Sequence, residues 1–168
     1  MKVHDETRVP EFLKMLEELL TTRLEIGIFG EDGSDMLMIA NVNEFGCNIK
    51  VTDKMRGYLA YKGLHLKAST KEIRIPERSF IRSGYDFKKD KMIKKGEYLL
   101  EKVLKLELPV GAFFNGLGQY IVGQIQEYLT SIKFPKNHPF TKEQKKSSNP
   151  LIDTGHLRES ITYKVVRN

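Results

Sequence analysis

Asp153, His156 and Ser160 stand within one short stretch near the end of the chain, and they are the residue types of a hydrolytic relay. In such a relay an imidazole takes the serine proton and a carboxylate orients the imidazole, a geometry usually assembled from distant segments. Here all three fall on what reads as a single short helix, so the spacing favours capping and packing over catalysis. Asp153 or Thr154 can offer a side-chain oxygen to the first free amides of a helix running through Ser160, with Gly155 next in the chain. These three residues form the expected structural cap, and no catalytic residue is expected.

Other chemistries meet similar objections. The glycines of Gly111-Ala112-Phe113-Phe114-Asn115-Gly116-Leu117-Gly118 lack the Lys-Ser/Thr ending of a phosphate loop, and no dinucleotide fingerprint follows a strand there. No cofactor is expected. The single Cys47 excludes an internal disulfide framework, and the four histidines include no close-spaced ligand pair, so no metal is expected either.

Size and composition set the frame for whatever positions these residues. The 168 residues, 40% of them hydrophobic, suit a single domain. No apolar run approaches the roughly 20 residues of a membrane span, and the first residues lack a basic-then-apolar leader, so neither membrane insertion nor standard export is expected. A formal charge of +6 permits association with DNA or with an acidic protein surface.

Val9, Phe12, Leu13, Leu16, Leu19 and Leu20 recur at helical spacing behind Pro10, which predicts a helix over 9–21. Leu24, Ile26 and Ile28 alternate as a strand, and a second helix is expected from Met36 to about Phe45, closed by Gly46 in a left-handed conformation. Between 48 and 78, Tyr58-Leu59-Ala60-Tyr61, Leu64, Leu66, Ile73 and Ile75 read as a β-ribbon punctuated by Gly57 and Gly63, with its excursion near 52–72. Long helices are expected over 85–106 and from Pro109 to about 131, the second carrying glycines that allow close backbone approach. A basic loop follows near 133–149, with room for a helical turn after Thr141, and Ile161, Tyr163 and Val165 close the chain as a strand. The expected class is α+β: one small, mostly antiparallel sheet from strands near 23–29, 72–78 and 161–166, packed on the N-terminal helix and the long helices of the C-terminal half.

Two charged clusters remain. Around Pro76 and Phe80, the arginines Arg78 and Arg82 can grip carboxylates across a subunit boundary while Phe80 inserts as an anchor; the same residues equally suit a salt-bridged strand end with Phe80 in the chain's own core. The basic 133–149 loop reads first as a solvated surface loop; because few acids compensate Lys136, Lys142, Lys145 and Lys146, these four are the candidates for contact with DNA.

Three segments, Ala40-Asn41-Val42-Asn43-Glu44-Phe45-Gly46, Ile75-Pro76-Glu77-Arg78-Ser79-Phe80-Ile81-Arg82 and Pro150-Leu151-Ile152-Asp153-Thr154-Gly155-His156-Leu157-Arg158-Glu159-Ser160-Ile161, run in the order and spacing of a known family. With its closing strand, the chain resembles the neck, or head-tail joining and tail-completion, proteins of tailed bacteriophages. The match rests on Asn43, Glu44, Phe45 and Gly46, on Ile75, Pro76, Arg78, Phe80 and Arg82, and on Leu151, Asp153, Thr154, Gly155, Leu157 and Ser160. Ser79 departs from a proline often found there. The resemblance implies a non-enzymatic α+β virion protein that assembles as a homo-oligomeric ring in the neck or tail of a phage or phage-tail-like particle and is made in the host cytoplasm. Its implied partners are other copies of itself, the head connector or adaptor, and the tail terminator or tube, with passing DNA as a non-specific contact. Glu44, Phe45, Arg78, Phe80 and Arg82 become the expected subunit or partner interface. The alternative, from a different class, is a basic nucleic-acid-binding module.

Overall fold

The computed structural model describes residues 7–30, 34–145 and 147–168, with Ser34 described by its backbone alone. Helix α1 (Val9–Thr21) leads directly into strand β1 (Thr22–Gly27), and α2 (Ser34–Phe45) ends at Gly46, whose φ of +69° is the expected left-handed closure. Strand β2 (Cys47–Lys50), helix α3 (Asp53–Tyr61) and strand β3 (Glu72–Ile75) follow. Two long helices, α4 (Arg82–Leu104) and α5 (Val110–Ser131), pack along one another. The chain finishes through two short helices, α6 (Pro139–Gln144) and α7 (His156–Glu159), and strand β4 (Thr162–Arg167).

The class is α+β, as expected, but the strands divide differently. Instead of one sheet, β1 pairs antiparallel with β4, from Thr22 opposite Arg167 to Gly27 opposite Thr162, while β2 pairs antiparallel with β3, from Cys47 opposite Ile75 to Lys50 opposite Glu72. The 72–75 strand finds its partner across a local excursion rather than at the chain's end. That excursion corrects a second expectation, because Tyr58 to Tyr61 lie on α3 and not on a ribbon strand. The Thr52 hydroxyl accepts from the Met55 amide at 3.2 Å, and Asp53 adds an acid to the first turn, so a cap outweighs the β-forming tyrosines and Gly57.

Two hydrophobic clusters hold the body together. One collects Met15, Val103, Val110, Phe113 and Phe114 from α1, α4 and α5, with Leu24 and Val165 of the first sheet packed against it. The other joins Ala40, Phe80, Met92, Ile125, Leu129, Leu151, Leu157 and Ile161. Gly118 explains one glycine of α5: a Cβ there would stand 2.5 Å from the Tyr163 ring, so glycine lets the helix lie directly on β4. The close approach expected of the glycines in this helix is made, at Gly118, against a strand.

Candidate functional site

The second cluster is built from all three segments singled out in sequence. Ala40 comes from the first, Phe80 from the second, and Leu151, Leu157 and Ile161 from the third, while Met92, Ile125 and Leu129 of the long helices form their common floor. At its edge stands Glu44, 5% exposed. Its Oε1 accepts from Ser79 Oγ at 2.7 Å, the Arg82 amide at 3.0 Å and Arg82 Nε at 3.1 Å. Its Oε2 accepts from the amides of Phe80 at 2.8 Å and Ile81 at 3.0 Å.

This carboxylate therefore caps α4 from another helix. The first amides of an α-helix lack partners within it and carry the positive end of its dipole, so a buried anion there satisfies donors and complements charge together. Desolvation pushes the Glu44 carboxyl up, but the Ile81 and Arg82 amides, the Ser79 hydroxyl and the Phe80 amide outweigh it and hold the group below the usual carboxylate value. Ser79 links the two helices' ends: its hydroxyl donates to Glu44 and accepts from the Ser83 amide at 3.2 Å.

Gly46 sets how closely the first two segments approach. A Cβ at this position would lie 2.8 Å from the Glu77 amide nitrogen and 2.9 Å from the Ile75 carbonyl oxygen. The Arg78 amide then donates to Asn43 O at 2.7 Å. The buried Arg78 guanidinium reaches the other way, donating to Pro135 O at 2.7 Å and Asn137 Oδ1 at 3.0 Å, and desolvation lowers its pKa.

Of the five residues expected at an interface, Glu44, Arg78 and Phe80 are thus buried within the chain, Phe80 completely. Burial of a phenylalanine contributes about 1.5–3 kcal/mol. Phe45 and Arg82 face outward, with the guanidinium 4.5 Å from the ring centroid. Arg82 also donates to Glu44 O and to Glu77 Oε1, each at 2.8 Å.

The expected cap at the third segment is corrected. Gly155, at φ +95°, is the N-cap of α7, and neither Asp153 nor Thr154 makes a side-chain capping bond. Both instead line a cavity of about 410 Å³ where the three segments meet, together with Ile39, Asn43, Arg78 and Lys145. The bend is made by glycine's left-handed backbone, so the polar side chains beside it are free to point into the cavity. Ser160 Oγ donates to Leu157 O at 2.9 Å, which places its hydroxyl in the turn of α7 rather than on an imidazole.

The lysines chosen for DNA contact separate. Lys136 and Lys142 share the lining of a second cavity with Lys133, Ser148 and Asn149. Lys145 is half-buried and donates to Pro150 O at 3.1 Å; desolvation lowers its pKa against the opposing influence of Asp153. Lys146 lies outside the described residues. Among the described residues no group of three or more His, Cys, Asp or Glu is placed to hold a metal ion, and no helix is long and apolar enough to cross a membrane.

Sequence could not have found the Glu44 cap by any local rule, because its donors lie more than thirty residues away. Comparison of the chain with protein-family models, curated proteins and solved structures finds no match in any of the three.

Proposed function

We propose that this chain is a non-catalytic subunit of the neck of a tailed bacteriophage or phage-tail-like particle, forming a homo-oligomeric ring that joins the head connector to the tail and completes it. The observation that carries this reading is the convergence of the three family-like segments on one cluster, locked by Glu44 at the start of α4. Segments that resemble a family in isolation carry little weight; segments that meet in one structural unit carry more.

Surface character supports the assembly. Val9, Leu13 and Leu20 expose an apolar stripe on α1, beside the cluster that contains Met15, and Met38 and Phe45 expose another on α2, beside the cluster that contains Ala40. A ring needs two different complementary faces on each subunit, unlike a two-fold dimer, which uses one face twice. Phe45 and Arg82, stacked and outward-facing, form the natural centre of one such face.

Disruption of the gene in the particle that encodes it tests the assignment. Full heads and completed tail tubes that accumulate unjoined, and that join when the protein is supplied, are the expected result. Normally joined, infectious particles without the protein would refute it.

A further inference from the structure

The excursion from Cys47 to Ile75 has a charge balance unlike the rest of the chain. It holds seven basic and two acidic residues, +5 of the chain's formal +6. The body, with almost all of the acids, is close to neutral. Of the two acids, Asp53 sits in the first turn of α3 and Glu72 lies opposite Lys50 in the β2–β3 register.

The excursion also stands apart structurally. Among the described residues, helix α3 packs extensively against no other helix or strand, and β2 and β3 tie its base together. Its shape is nevertheless fixed from within. Arg56 donates to Leu66 O at 3.2 Å, Lys67 O at 3.0 Å and Thr70 O at 2.8 Å, binding the return segment to α3. Lys54, Lys62, Lys67 and Lys71 are all exposed, and among the described residues none of them makes an ion pair. Tyr58 and Tyr61 are 59% and 86% exposed beside them.

We infer that this arm contacts the phosphate backbone of duplex DNA. The chemistry favours phosphates over an acidic protein face. Paired recognition of carboxylates uses the planar arginine fork, and the arm's central arginine, Arg56, is occupied by backbone carbonyls. What remains outward is a set of lysine ammonium charges with one guanidinium, Arg74 on β3, and the exposed Tyr58 and Tyr61, groups that grip a regular polyanion without reading its sequence. A preformed arm also loses little conformational freedom on binding. This contact differs from the 133–149 loop, where Lys145 is turned inward to Pro150. It applies to the free chain, so its failure would leave the neck assignment standing.

The test is fluorescence anisotropy of a labelled mixed-sequence duplex with the full chain, using labelled polyglutamate as the competing probe class. Four phosphate contacts predict an affinity loss on the order of 100-fold between about 50 and 200 mM salt. Lys54→Gln, Lys62→Gln, Lys67→Gln and Lys71→Gln combined should abolish most of the binding and flatten the salt dependence, with an unchanged thermal unfolding curve. Lys136→Gln with Lys142→Gln should bind nearly as the parent does. Absence of salt-dependent duplex binding by the parent would overturn the inference, as would equal loss in the two variants. Binding of polyglutamate as tight as that of the duplex would instead make the arm an acidic-protein contact, and would overturn it too.

Discussion

The Glu44 junction and the α3 arm both concentrate polar residues, yet they use them in opposite ways. At the junction one buried carboxylate collects five donors, from Ser79, Phe80, Ile81 and Arg82, so its polarity is consumed in fixing how α2 meets α4. In the arm, the lysines face solvent, while Arg56 and the Thr52 cap are spent on structure. Burial separates these roles: a desolvated polar group must be paired, whereas an exposed charge costs little and remains available to a partner. Substitutions at the junction should therefore appear as lost stability, and those in the arm as lost binding.

The largest effect is expected from Glu44→Ala, which leaves buried donors at the start of α4 without an acceptor. It should destabilise the fold by about 3–5 kcal/mol in denaturant titration, most of it from the unpaired donors rather than the half-exposed Arg82 ion pair. A loss below about 1 kcal/mol would mean that water replaces the carboxylate, and the contrast with the arm would collapse. Gly46→Ala comes next, at about 2 kcal/mol, because its left-handed backbone and its contact with Ile75 and Glu77 both disfavour a Cβ.

Acid should weaken the same junction. The Glu44 pKa is lowered in the folded chain, so its contribution is present above the unfolded carboxylate value of about 4.3 and is lost as pH falls through the folded value. Denaturation midpoints measured down through that window should fall for the parent and change less for Glu44→Gln. An equal acid response in both would assign the loss to other carboxylates.

Local patterns were readable where one segment decides its own structure. The apolar spacing of α1 predicts Val9–Thr21, Gly46 closes α2, and Pro109 immediately precedes α5. Where two signals competed, the weaker-looking one won: the Thr52 cap and the Arg56 bonds turn a tyrosine-rich stretch into α3. The site was readable in its residues but not in its geometry. Phe45 and Arg82 are exposed, and the local pattern around Glu44, Arg78 and Phe80 fits an interface and a buried junction equally well. Only the tertiary meeting of α2, α4 and the 135–137 segment distinguishes them.

The smallest stability changes are expected where side chains do no capping. Asp153→Ala with Thr154→Ala should shift stability by under about 0.5 kcal/mol, since Gly155 makes the bend without them. A loss of 1–2 kcal/mol would restore the side-chain cap expected from sequence. Phe45→Ala, which removes an exposed ring and no bond to Glu44, sharpens the contrast from the other side: assembly should fail more severely than monomer folding, read by particle joining beside the unfolding curve.

Electron cryomicroscopy of the joined particle would locate the chain directly. For the proposed neck subunit, this fold should repeat around the axis between head connector and tail tube, with the Phe45–Arg82 face against the neighbouring copy. Density for the chain elsewhere in the particle, or its absence from a complete particle, would contradict it.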